Sequence, residues 1–125
     1  MWELIKHTAS WIRNLKRGKD SRKKESIDAL RKVVIATRKT ANYMRQLNDT
    51  GTRSHNTESE ISMLWTELGF ALEDLGITKL ANRCRIKGKH WADPSQADRE
   101  YLEKADVSLE RMEQLANELI REISG

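Results

Sequence analysis

The sequence predicts an all-α fold, an up-down antiparallel four-helix bundle with a kinked third helix. Three observations lead there. Apolar residues recur at alternating steps of three and four through most of the chain, the rhythm of packed helical seams. One proline and seven aromatic residues leave little material for a β-sandwich. Asn48 to Thr57 is the only stretch polar enough to be a flexible linker, so the other connections are short and set neighbouring helices antiparallel. At 125 residues the chain is expected to form one domain, 1–125, with a core of its own.

Met1 to Arg17 reads as an amphipathic helix with Leu4, Ile5, Thr8, Ala9, Ile12 and Leu15 on its stripe. Trp2 and Trp11 stand at the edges of that stripe. Tryptophan beside lysine and arginine also suits a helix lying on an anionic membrane surface, the alternative to packing on the bundle. Ser21 to Asn48 is the second helix and is apolar on two sides. Ile27, Leu30, Val34, Thr37, Ala41 and Met44 form one seam; Val33, Ala36, Thr40, Tyr43 and Leu47 form the other.

The third helix, Glu58 to Gly88, carries Ile61, Trp65, Leu68, Leu72 and Leu75 on one seam. Met63 and Phe70 point to the opposite side, and Gly69 makes room for an indole or a neighbouring backbone. Leu75-Gly76-Ile77 has the form of a helix C-terminus with a left-handed glycine, and Thr78 is placed to cap a second piece. Helix length favours a kink there over a reversal. Positions 58–75 span only about 27 Å and 58–88 about 46 Å, against roughly 40 Å for the flanking helices. Gly88 is then expected to end the helix and leave His90 on a loop. The last helix opens at Asp93, with Pro94 in its first position and Gln96 completing a capping box. Leu102, Ala105, Leu109, Met112, Ala116, Leu119 and Ile123 continue the rhythm.

The net charge of +4 hides a gradient of +9 over residues 1–56, 0 over 57–92 and −5 over 93–125. Arg13 to Lys24 holds seven bases and one acid, the densest charge in the chain. Between Glu58 and Lys89 the acids all precede Gly76 and the bases all follow it, an order that also suits helix dipoles. An antiparallel bundle with a kinked third helix sets the start of helix two beside the end of helix three. Arg13, Lys16, Arg17, Lys19, Arg22, Lys23 and Lys24 then meet Arg83, Arg85, Lys87, Lys89, His90 and Trp91 at one basic end. Such an end is suited to an anionic partner, nucleic acid first and acidic protein second, with Trp91 stacking on a base.

No cofactor or metal is expected. Glu100, Glu103, Asp106 and Glu110 form one acidic row without a second row to face it, and no glycine-rich phosphate loop or Cys/His pattern occurs. Cys84 is the only cysteine and forms no intramolecular disulfide, which sets a reducing cytoplasm as the expected location. The N-terminus lacks the form of a signal peptide, and the longest uninterrupted apolar run is Val33 to Ala36. The catalytic candidates are Arg85 and His90. Arg85-Ile-Lys-Gly-Lys-His90 resembles the arginine-to-histidine motif of HEPN-type ribonucleases, small helical bundles that commonly act as dimers. The resemblance covers residues 85–90, or 83–90 counting Arg83. That family usually follows the arginine with a polar residue, where this chain has Ile86 after Arg85 and Cys84 after Arg83. It implies a metal-independent ribonuclease in which His90 moves protons and Arg85 steadies phosphate charge. Self-association is also expected, most simply as a dimer, because a first helix of about 25 Å cannot cover the second apolar sides of helices two and three. Val33, Met63 and Phe70 are the interface candidates.

Overall fold

The structure, a computed structural model, describes residues 20–94 and 107–125. The first predicted helix, with its membrane alternative, lies outside the described residues. These form four α-helices and no strand: α1 (Asp20–Thr50), α2 (His55–Asp74), α3 (Thr78–Ala92) and α4 (Leu109–Ser124). The all-α four-helix class is the one the periodicity predicts, but two of its helices are not the ones predicted.

α1 runs about 46 Å and uses both of its seams. On one, Val33, Ala36, Thr40 and Tyr43 are buried against the helices that follow it. On the other, Leu30 and Thr37 are buried, with Ile27 and Val34 partly so, and α4 packs along α1. Val33 is fully buried, so its expected place at an oligomer interface is corrected: it belongs to the core. The connection to α2 is shorter than predicted, four residues rather than ten, because α1 continues to Thr50 and Ser54 already caps α2. The Ser54 hydroxyl accepts from the Thr57 amide at 3.2 Å, satisfying a donor at the helix start.

The helix predicted to kink at Gly76 instead reverses there. Gly76 holds φ 83°, a conformation that costs glycine nothing. Its amide donates to Glu73 O at 2.9 Å and the Ile77 amide to Leu72 O at 2.9 Å, the paired bonds of a Schellman turn. Leu72 and Ile77 are both fully buried, the apolar contact that accompanies such a turn. Thr78 caps nothing: the N-cap position is Ile77 and Thr78 is the first helical residue. α3 then runs back along α2 as the second arm of a helical hairpin.

Two glycines let the arms approach. A methyl group on Gly69 would stand 3.1 Å from Ala81 O and 2.7 Å from Arg85 Cγ. One on Gly88 would run into the Thr66 hydroxyl and stand 3.1 Å from Ser62 O. At that crossing the Ser62 hydroxyl donates to Gly88 O at 2.7 Å. Gly88 therefore does not end the helix; α3 continues through His90 and Trp91 to Ala92. Length matching misled because the arms, about 30 Å and 22 Å, need not match α1.

The last helix is also interrupted. Asp93 is the C-cap of α3, and α4 begins at Leu109. Ser108 caps it, accepting from the Arg111 amide at 3.3 Å, so the predicted run through residues 107 and 108 is interrupted. Met112, Leu115, Ala116, Leu119 and Ile123 fill the core from its inner face. Leu102 and Ala105 lie outside the described residues. Among the described residues no helix is long and apolar enough to cross a membrane.

Candidate functional site

The reversal at Gly76 separates what the predicted kink would have joined. Arg22 Nη2 donates to Asp74 O at 3.4 Å, so the start of α1 lies beside the α2–α3 turn. Tyr43 meets Trp91 edge-to-face at 5.8 Å between ring centroids, so the end of α3 lies beside the far part of α1. Arg22 and Tyr43 are about 32 Å apart along α1. Lys23, Lys24 and Lys79 stay near the Arg22 end; Lys87, Lys89, His90 and Trp91 are carried to the other. The composite basic end is therefore corrected to two separate ends. Arg13, Lys16, Arg17 and Lys19 lie outside the described residues.

Trp91 is buried between the rings of Tyr43 and His90, at 5.8 and 5.6 Å, and is a core residue rather than a stacking platform. Arg85 Nη2 pairs with Glu73 at 2.9 Å across the hairpin. Five residues on, His90 sits about 140° away around the same helix, against Trp91. The Arg85–His90 pair is not brought to a shared cleft. Burial, reinforced by Lys87, pulls the His90 imidazole below its ordinary value, while burial alone pulls the half-buried Lys87 ammonium down to about 8. Burial pushes the Cys84 thiol up to about 12, which makes it a packing residue without nucleophilic character at neutral pH. Among the described residues no group of three His, Cys, Asp or Glu is placed to hold a metal ion; Glu100, Glu103 and Asp106 are not among them, and Glu110 is exposed at the start of α4.

The most chemically built corner is the α1–α2 connection. Glu58 is buried, accepts from the Tyr43 hydroxyl at 2.6 Å, and is clamped by Arg53 Nε and Nη2 at 3.1 and 2.9 Å. The Arg53 bonds first, and the Tyr43 bond second, hold the Glu58 carboxyl below the usual carboxylate range. Each lone pair thus engaged serves the fold, and the Tyr43 oxygen further accepts from the Ser54 amide at 2.9 Å. Sequence reading missed this network, since no periodic signal links residues 43, 53 and 58.

It also missed the outer face of α1. Lys24, Arg31, Arg38 and Arg45 recur every seven residues and are all exposed. An α-helix drifts only about 20° per heptad, so these side chains form a row with about 10.5 Å between members. Lys32 and Lys39, also exposed, stand in a parallel row. Arg38 reaches Glu113 of α4 at 3.1 Å and Lys39 reaches Glu60 of α2 at 3.5 Å. The two rows thus lean towards different neighbours, with α1 as the crest between them. Both ion pairs are exposed, and pairs of that kind are weak enough to exchange for another anion. The seven-residue recurrence is present in the sequence, but only the packed face of α1 shows that all four members are exposed.

Comparison with known proteins supplies no relative: no family model, no curated protein and no solved structure matches the chain.

Proposed function

We propose that this chain is a non-enzymatic helical module that holds an anionic partner, nucleic acid, along the outer face of α1. The observation that carries the reading is the row Lys24, Arg31, Arg38 and Arg45, accompanied by Lys32 and Lys39 on the same exposed face. A cation every 10.5 Å or so, each about one Debye length from the next at physiological salt, meets phosphates as a set of independent contacts. The test is a salt titration of binding to duplex and single-stranded nucleic acid. Affinity should fall linearly in log–log form, and Arg31→Glu with Arg38→Glu should abolish binding while helical content stays unchanged. Lys89→Glu, at the end of α3, should leave binding nearly intact. A parent with no affinity at low salt would overturn the reading.

A second reading, self-association, rests on a different observation. Met63 and Phe70 are 55% and 54% exposed and stand two turns apart on the outer side of α2. A second copy would remove both from water, most simply about a two-fold axis. Light scattering of the parent and of Phe70→Glu distinguishes the states: a parent that is monomeric at high concentration rules this reading out.

A further inference from the structure

Between the two basic rows of α1 runs a third row, and its residues are not basic. Asp28, Ile35 and Asn42 are each exposed and are again seven residues apart. Ile35 is 61% exposed although it is a large aliphatic residue, and all four of its helical neighbours on that face, Arg31, Lys32, Arg38 and Lys39, are cationic. An isoleucine ringed by four cations gains nothing from water and is not covered by the fold. The pattern is a short, non-basic centre with positive charge on both flanks.

We infer that α1 is a groove-reading helix that enters the major groove of B-form duplex DNA, with Ile35 and Asn42 facing base edges and the flanking rows contacting the two phosphate backbones. The inference rests on the nucleic-acid reading above and narrows it to one duplex. The major groove of B-form DNA is about 12 Å wide and admits an α-helix, whereas that of duplex RNA is too deep and narrow. The two rows lie on opposite sides of the crest, as phosphates on opposite walls of a groove require. In the centre, an aliphatic side chain suits the thymine methyl group, and an asparagine amide pairs with the N6 and N7 edge of adenine. The step of 10.5 Å or so between Ile35 and Asn42 equals about three base pairs of rise. Asp28, at the far end of the centre row, accepts from the exocyclic amine of cytosine and disfavours phosphate there.

The test uses the full chain with three probes: a duplex DNA of mixed sequence, a duplex RNA of the same sequence, and the DNA with every thymine replaced by deoxyuridine. The DNA should bind, and the RNA duplex should bind at least about tenfold more weakly. Loss of the thymine methyl groups should weaken parent binding about fourfold per contacted methyl and should leave Ile35→Ala unaffected. Arg31→Gln with Arg38→Gln should lower the salt slope by about 2, whereas Ile35→Ala and Asn42→Ala should leave it unchanged. Equal affinity for the DNA and RNA duplexes overturns groove entry while leaving a phosphate-binding module in place. So does a parent indifferent to the thymine methyl groups. Failure to bind any of the three probes at low salt overturns both readings together.

Discussion

The hydroxyl of Tyr43 on α1 donates a 2.6 Å hydrogen bond to the buried carboxylate of Glu58 on α2, and Arg53 grips that carboxylate from the connection between the two helices. This one relationship ties the end of the long helix to the start of the hairpin. It also fixes a pH window. Arg53 and then Tyr43 lower the Glu58 pKa below 4.5, so its stabilisation is fully present above that value and is lost as pH falls through the lower folded value. Burial, and then Glu58, raise the Tyr43 pKa above 10.0, so its contribution is present below 10.0 and is lost as pH rises through the higher folded value. Between these limits the Tyr43–Glu58 pair therefore adds no pH dependence of its own to the unfolding midpoint in urea. Tyr43→Phe should cost about 1–3 kcal/mol, since it leaves the Ser54 amide without its acceptor and takes from Glu58 Oε2 one of its two donors, Arg53 Nε being the other. It should also shrink the alkaline fall. Tyr43→Phe with unchanged stability would show that this bond contributes nothing net.

The hairpin makes a second expectation at Gly88. Alanine is favoured over glycine by roughly 1 kcal/mol inside a helix. Here its methyl group would collide with the Thr66 hydroxyl, which is itself bonded to Ser62 O at 2.9 Å. Overpacking of this kind costs about 1–3 kcal/mol, so Gly88→Ala should lower stability despite the better helix propensity. Thr66→Ala should recover part of the loss in the double variant, a coupling that thermal unfolding of all four proteins would reveal. Gly69→Ala should be milder, because the nearest obstacle is the flexible side chain of Arg85.

These glycines also show where sequence reading stopped. Both seams of α1 were legible because each is local, a matter of steps of three and four. The helix end at Gly76 was legible for the same reason. Its consequence was not, since a left-handed glycine ends a helix without stating whether the next one continues or returns. That choice is made by Gly69 and Gly88, whose missing side chains matter only once the two helices are laid side by side. The basic end was then misplaced because it depended on that one choice. The break before Leu109 was hidden differently: Ala105 and Leu109 are four apart, so the apolar rhythm crosses residues 107 and 108 without losing phase. Tyr43 and Glu58, 15 positions apart across a turn, leave no periodic trace at all.

Lys87 carries the last prediction. It stands half-buried on α3, one turn before Trp91, and forms no ion pair or hydrogen bond with any described residue. Burial lowers its ammonium from 10.5 to about 8, which means that the fold prefers the neutral amine. For a base lowered in this way, stability is highest above the unfolded value and falls as pH drops through the folded one. The parent should accordingly gain stability as pH rises from 8 towards 10, and Lys87→Met should remove that gain. Each pK unit corresponds to about 1.4 kcal/mol, and partial contact of the ammonium with water reduces the benefit of Lys87→Met at pH 7 to about 1–2 kcal/mol. His90 supplies an independent readout, because its imidazole is lowered first by burial and then by the charge of Lys87. In an NMR titration its midpoint should lie below 6.5 in the parent and move upward in Lys87→Met. It should still remain below 6.5, since the burial persists. A His90 midpoint that does not respond to Lys87→Met would mean that the two groups do not sense each other and that the charge on Lys87 points into water.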